Sequence, residues 1–246
     1  MSELTGKRAL VTGASRGIGA AIALALAEKG ADVAITYERS AERAAEVVRA
    51  IEAKGRRGFA IQADSADADA VKRSVDQAAQ SLGGLDILVN NAGIARGGPV
   101  AEQSLADIDA LLAVNIRSVV LASQAAIKHL PEGGRIISIG SCLAERVPFP
   151  GVTVYSMTKS ALLAFTRGLA RELGPRGVTV NLVHPGPTDT DMNPAAGGQA
   201  DAQRAMTALG QYGKPEDVAA AVAFLASPGA RQITGTGIVV DGGANA

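Results

Sequence analysis

The chain predicts an α/β fold, a doubly wound seven-stranded parallel sheet with helices on both faces, and three observations carry that expectation. Short apolar runs rich in β-branched residues alternate with alanine-rich helical stretches from end to end, the pattern of parallel strands joined by helical crossovers. No Pro/Ser/Gly-rich linker or low-complexity break divides the 246 residues, so residues 1–246 read as one domain. A glycine-rich turn, Thr12-Gly13-Ala14-Ser15-Arg16-Gly17-Ile18-Gly19, sits between the first apolar run and the first helical stretch.

The strands fall in order at Arg8–Thr12, Asp32–Thr36, Gly58–Gln62, Ile87–Asn90, Arg135–Ile139, Thr179–Val183 and Gly237–Val240. Helices are expected between them at Gly17–Lys29, Ala41–Lys54, Asp67–Leu82, Ser104–Leu130, Val154–Leu173 and Pro215–Ala226. Asp67 and Ser104 suit N-caps, Pro215 suits a first turn ahead of Glu216 and Asp217, and Gly30, Gly55, Gly83 and Gly174 stand where helices should stop. Seven strands with right-handed crossovers leave few alternatives to a doubly wound sheet. The segment 188–213, with Asn193-Pro194-Ala195-Ala196-Gly197-Gly198 at its centre, has no period and reads as a mobile substrate loop.

Composition narrows the partners. Apolar residues at 47% against 20% charged are enough for a large core. Basic and acidic residues cancel at 24 each, so no global field draws nucleic acid or an acidic membrane surface. The N-terminal residues lack an apolar stretch of signal-peptide length, and no stretch is read as approaching the ~20 apolar residues of a membrane span. A cytoplasmic location is expected, in keeping with a single cysteine, Cys142. With only His129 and His184 beside it, no Cys/His metal site is expected.

In an open parallel sheet, ligands bind beyond the carboxyl ends of the strands where strand order reverses. Gly13, Gly17 and Gly19 let the chain turn tightly, bring N–H groups to a diphosphate and pack the next helix closely, while the helix start adds a favourable partial charge. Gly13, Ser15, Arg16, Gly17, Ile18 and Gly19 are therefore candidate cofactor residues. At the end of the second strand Tyr37 stands where an acidic residue would hold a ribose diol, followed by Glu38 and Arg39. Arg16 and Arg39 can instead clamp a 2′-phosphate, which favours NADP(H) over NAD(H); Glu38 as a diol ligand is the alternative.

Tyr155-Ser156-Met157-Thr158-Lys159 places a phenol and an ammonium one helical turn apart on one face. A fixed ammonium favours the phenolate, so Lys159 is expected to lower the Tyr155 pKa toward neutrality. Ser141 follows a strand and should emerge at the same edge as the glycine-rich turn, there to hydrogen-bond a carbonyl oxygen that Tyr155 protonates. Asn115 is either a tolerated polar helix residue or an anchor for a water chain to Lys159.

The turn, Asn90-Asn91-Ala92-Gly93, Asn115, Ser141, Tyr155-x-x-x-Lys159 and Pro185-Gly186 occur in one order over Lys7 to Gly243, and on these motifs the chain resembles a short-chain dehydrogenase/reductase. The resemblance implies a Rossmann fold with Asn115, Ser141, Tyr155 and Lys159 as a catalytic tetrad, Lys159 also holding the nicotinamide ribose. It further implies that Asp64, with Ser65 beside it, meets the adenine, that Asn91, Ala92 and Gly93 line the cofactor cleft, and that Pro185, Gly186 and Thr188 flank the nicotinamide. A small-molecule carbonyl substrate and a homotetramer are implied as well. Ile233-Thr234-Gly235 and Val240-Asp241-Gly242-Gly243 are most similar to the 3-oxoacyl-[acyl-carrier-protein] reductases. Two features depart from that branch: Ser141 to Tyr155 is one residue longer, with Val147-Pro148-Phe149-Pro150-Gly151 in the interval, and Glu132 stands in a surface expected to be basic, although Arg176 matches its other part.

Three other readings compete with this one. A serine hydrolase built on Ser141 and His184 lacks the second glycine of a nucleophile elbow. Asp64, Asp67 and Asp69 mimic calcium-loop spacing without the glycine and terminal glutamate such a loop needs, and read as a turn and a cap. A non-catalytic nucleotide sensor on the same fold is the remaining alternative. The helix Val154–Leu173, apolar over much of its circumference, suggests a partner helix in a symmetric oligomer, with burial inside the monomer as the other reading.

Overall fold

The computed structural model describes residues 2–246. Its one sheet contains β1 (Arg8–Val11), β2 (Asp32–Tyr37), β3 (Gly58–Gln62), β4 (Ile87–Asn90), β5 (Arg135–Ile139), β6 (Thr179–Pro185) and β7 (Gly237–Val240). All neighbours are parallel, in the order β3-β2-β1-β4-β5-β6-β7. The chain therefore moves outward from β1 to β3 and then returns to β1's other side, so strand order reverses between β1 and β4. Helices α1 (Gly17–Glu28), α2 (Ala41–Glu52) and α8 (Pro215–Ala226) cover one face, where Ile22, Leu26, Val47, Val222 and Leu225 are buried. The other face is covered by α3 (Ala68–Leu82), α5 (Ser118–Ile127) and α6 (Thr153–Leu173) through Val75, Leu82, Ala126, Leu169 and Leu173.

The local chemistry of the boundaries largely follows the sequence. Asp67 caps α3 by accepting from the Asp69 and Ala70 N–H groups, and Asp64 accepts from the Ala66 N–H in the turn before it. This is the turn-and-cap reading of the three aspartates. Ser104 caps α4 (Leu105–Leu112) through the Asp107 N–H. The α-helix α6 ends at Leu173 with Gly174 as its C-cap, as expected; Gly174 is right-handed at φ −52°, a 3₁₀ turn follows over Gly174–Arg176, and the left-handed residue is Gly177, φ +69°. In α6 the chain's own core takes up Leu162, Leu169 and Leu173, while Met157 is half exposed.

The helix expected over Ser104–Leu130 is interrupted. A π turn at Ala113–Arg117 separates α4 from α5, and such turns recur at functional sites. The whole stretch Leu105–Ile127 is nonetheless long and apolar enough to cross a membrane by length and composition, which corrects the expectation that no segment comes near that length. More than half of its most apolar window is buried inside the fold; it is a core helix whose Val119, Ala122 and Ala126 pack within the domain.

Asn115 lies inside the π turn, 1% exposed. Its Oδ1 accepts from the Ile94 N–H at 2.9 Å, and its Nδ2 donates to the Ile94 carbonyl at 2.9 Å and to Thr158 Oγ1 at 3.1 Å. One amide thus ties the backbone leaving β4 to α6, the helix that carries Tyr155 and Lys159. The segment 188–213 is also more ordered than expected, with α7 at Ala200–Ala205 and bridges Thr188–Gly213 and Thr190–Asn193. Replacing Asn115 by Ala strands the half-buried Ile94 N–H and C=O, so Asn115→Ala should lose about 1–3 kcal/mol in urea unfolding; a loss under about 0.5 kcal/mol would show that this tie is not structural.

Candidate active site

A cleft of about 960 Å³ opens along the carboxyl ends of β1 to β6. Every candidate site residue named from the sequence lines it except Asn115, which stands behind the wall. Residues that sequence reasoning did not single out also face it: Thr36, Ile94, Val114, Ile139, Thr190 and Met192. Thr36, Ile94 and Ile139 sit at or just beyond strand ends, so their position at the carboxyl edge is the signal that would have found them.

The glycine-rich turn is held by side chains from both halves of the sheet. Gly13 takes φ +62° and donates its N–H to Thr36 Oγ1 at 2.9 Å. A Cβ at Gly13 would lie 2.9 Å from Ala92 Cα, and one at Gly19 2.4 Å from Asn91 Nδ2. Asn91 Nδ2 donates to the carbonyls of Thr12 and Gly13 at 2.8 and 3.0 Å, while Thr12 Oγ1 accepts from the Asn91 and Ala92 N–H groups at 3.0 Å each. With these bonds satisfied internally, the cradle at the start of α1 suits a diphosphate: side chains are absent where it must approach, and the helix start favours negative charge.

Ser141, Tyr155 and Lys159 meet at the other end of the cleft. Lys159 Nζ donates to the Ile139 carbonyl at 3.0 Å and lies 5.9 Å from the centre of the Tyr155 ring. Lys159 is 5% exposed, and burial alone lowers its pKa from 10.5 to about 8. Tyr155 departs from the expectation: burial raises its phenol above the ordinary value, outweighing the pull toward the ionised form exerted by the Ser141 hydroxyl. The ammonium beside it does not win, because the same dry environment that sharpens attraction penalises the phenolate itself. Ser141 Oγ accepts from the Leu143 N–H at 3.1 Å, opening a 3₁₀ turn at Cys142–Ala144. His184 approaches the Ser141 backbone and not its hydroxyl, which removes the Ser–His pair a hydrolase needs.

The two arginines assigned to a 2′-phosphate are both at the rim but are not paired with each other. Arg39 Nε contacts Glu38 at 2.8 Å. Arg16 meets Asp191 at 3.0 Å, where Arg43 joins it at 2.6 Å. Nothing local in the sequence marks Arg43, in the first turn of α2; only the fold brings it to the loop. The two guanidinium groups, Arg43 first, hold the Asp191 carboxyl below its usual range.

Lys159 yields a stability prediction. Its folded-state pKa lies below the unfolded one, so between pH 8 and 10.5 the unfolded chain binds more protons and stability from this group rises with pH. Below about pH 8 the penalty of a buried ammonium is fully present. Lys159→Met should therefore be more stable than wild type at pH 7, by up to about 3 kcal/mol, and the gap should close toward pH 10.5. Urea unfolding at the two pH values checks this; an equal gap at both would refute it.

Comparison with known proteins agrees with this geometry. Residues 13–245 match the family model described as enoyl-(acyl carrier protein) reductase. A short-chain dehydrogenase from Burkholderia cenocepacia J2315, solved in complex with NADP, superposes with a TM-score of 0.98 at 66% identity, covering 99% of this chain and 100% of that one. The cyclic-di-GMP-binding biofilm dispersal mediator protein of Escherichia coli K12 is 45% identical over 98% of both chains. The 3-oxoacyl-[acyl-carrier-protein] reductase of Staphylococcus aureus is 43% identical over 96% of this chain and 97% of its own. With the family model matched over residues 13–245 and near-complete coverage of each relative, the chain belongs to the short-chain dehydrogenase/reductase family.

Proposed function

We propose that this protein is an NADP(H)-dependent oxidoreductase that reduces a ketone or 3-oxoacyl-type carbonyl to an alcohol. The observation that carries the reading is the placement of Tyr155, Ser141 and Lys159 on the same cleft as a glycine cradle fit for a dinucleotide. NADPH, when bound, supplies the hydride that a carbonyl carbon accepts. Gly13 to Gly19 hold its diphosphate, Asp64 and Ser65 its adenine, Lys159 its nicotinamide ribose, and Pro185, Gly186 and Thr188 flank the nicotinamide. Arg16 meets the 2′-phosphate, with Tyr37 and Arg39 lining that end. The NADP complex of the Burkholderia relative supports the cofactor choice.

Tyr155 Oη gives its proton to the carbonyl oxygen as that oxygen gains the electron pair of the C=O π bond. The Ser141 hydroxyl donates a hydrogen bond to the same oxygen, and the Lys159 ammonium steadies the phenolate left behind. With its pKa raised by burial, Tyr155 holds its proton at working pH, as the proton donor in a reduction must. Asn115 acts through the backbone of Ile94 and through Thr158, which tie the β4 exit to the helix that carries Tyr155 and Lys159. Leu143, Pro148, Phe149, Met192 and Met206 give the substrate end an apolar lining, which suits a carbonyl with an apolar body.

The E. coli relative favours one second reading, a nucleotide-responsive regulator with little turnover. NADPH oxidation with a panel of ketones separates them: turnover supports the enzyme, and bound NADPH with silence across the panel supports the regulator. Tyr155→Phe should bind NADPH as wild type does and lose at least about a hundredfold in kcat; retained turnover would remove Tyr155 from its role. Reduction should proceed undiminished through neutral pH and fall on the alkaline side as Lys159, with a pKa of about 8, and then Tyr155 lose their protons, read from a pH profile of kcat/KM for NADPH, which reports the free enzyme. Arg16→Ala should raise the KM for NADPH about tenfold to a hundredfold while leaving that for NADH nearly unchanged; equal shifts for both cofactors would refute the phosphate assignment.

A further inference from the structure

His184 is the one buried imidazole in the neighbourhood of the cleft that the chemistry above leaves without a task. It lies in β6, 2% exposed, with Nδ1 2.9 Å from the Ser141 carbonyl and 3.4 Å from the Ser141 N–H. The two contacts ask for opposite tautomers, since the Ser141 N–H would donate to a bare Nδ1 at 3.4 Å; a bare Nδ1 would also set its lone pair against those of the carbonyl at 2.9 Å, so the shorter contact assigns the hydrogen to Nδ1. Nε2 is then the bare nitrogen, and it is buried with no hydrogen-bond partner among the described residues. An orphaned buried acceptor costs about 1–3 kcal/mol. An aliphatic side chain in the same place would escape that cost, so the imidazole demands an explanation in what Nδ1 holds.

The ring is also trapped. A Cβ built on Gly140 would stand 2.6 Å from Nδ1 and 2.9 Å from Cε1; one built on Gly237 would stand 2.6 Å from both Cδ2 and Nε2. Gly140 follows the last residue of β5 on the way to Ser141 and Gly237 begins β7, so the chain on either side of β6 gives up a side chain where the imidazole sits. Burial lowers the His184 pKa, so the ring stays neutral and keeps one donor and one acceptor. The Ser141 backbone is extended at φ −165°, and its carbonyl is the group on which the slotted ring acts.

We propose that His184 is a positioning residue: locked between Gly140 and Gly237, it donates Nδ1–H to the Ser141 carbonyl and thereby sets where the Ser141 hydroxyl stands in the cleft. The inference rests on the reading of Ser141 as the hydroxyl that meets the substrate carbonyl. A hydroxyl displaced by about 1 Å can lose on the order of a hundredfold in rate, so the bond matters to turnover out of proportion to its strength.

The test is a cycle of His184→Leu, His184→Asn, Ser141→Ala and the His184→Leu/Ser141→Ala double variant, each checked for unchanged NADPH Kd. His184→Leu should lower kcat for ketone reduction by about tenfold to a hundredfold. His184→Asn, whose amide nitrogen can stand near the position of Nδ1, should recover most of that loss. Placed on Ser141→Ala, His184→Leu should cost less than about twofold more, because residues acting through one group are not additive. Wild-type kcat in His184→Leu, no recovery with Asn, or a full extra loss in the double variant would each overturn the proposal. Wild-type turnover in Ser141→Ala would overturn the underlying reading of Ser141, a result distinct from any His184 outcome. A measurement independent of variant folding is the ¹⁵N spectrum of the His184 ring in the wild-type protein: protonated Nδ1 with bare Nε2 is expected, and the opposite tautomer would sink the assignment.

Discussion

The exchange of hydrogen bonds between Thr12 and Asn91 is the constraint on which the site depends. Strand order reverses between β1 and β4, and the two chains leaving these strands must diverge, one into the glycine-rich turn and the other toward Gly93. Parallel ladder bonds stop at the strand ends, so backbone groups there would be left unpaired in a part-buried place. Thr12 Oγ1 takes two N–H groups from the β4 side and Asn91 Nδ2 returns two bonds to carbonyls on the β1 side. The split is thereby held at a fixed width with its polar groups satisfied. Asn115 repeats the device one step further along, fixing Ile94 to α6, so turn, β4 exit and the Tyr155–Lys159 helix are connected through side-chain amides and hydroxyls.

Chemistry at this edge is obtained against stability. Lys159 is an ammonium with one carbonyl partner in a dry pocket, and His184 keeps an unpaired nitrogen buried in the sheet. Groups of this kind lower the stability of a fold and persist where geometry has a use for them. Tyr155 shows the balance from the other side. Its burial opposes ionisation, which leaves the phenol protonated and a hydrogen-bond donor at neutral pH. The rim has a different character, with Arg16, Arg43 and Asp191 all exposed, where water screens each charge and pairing is worth little. Rigid, costly polar groups lie deep and exchangeable ions lie at the mouth.

Much of this was legible in the residues because it depends on local rules. Alternation of β-branched and alanine-rich stretches marks strands and crossovers; Asp67 and Ser104 announce helix starts by capping; the glycine spacing after β1 marks a cradle. Errors arose where a longer-range contact competes. The apolar run from Leu105 reads as one helix, but it opens into a π turn around Asn115, whose side-chain bonds reach across to Ile94 and Thr158. The 188–213 segment lacks periodicity, yet its ends are bridged and its polar side chains pair with one another, as Asn193 does with Gln203.

By itself the sequence determined the number and order of the strands along the chain, the place of the glycine cradle, and the spacing that puts a phenol and an ammonium on one helix face, since each follows from periodicity, capping or a fixed rise per residue. Tertiary structure alone decided the protonation balance of Tyr155 and Lys159, the seating of His184 against Ser141, and the meeting of Arg43 with Arg16 at Asp191. Those depend on desolvation and on contacts between residues tens to more than a hundred positions apart, quantities set by how the layers close and not by any neighbour along the chain.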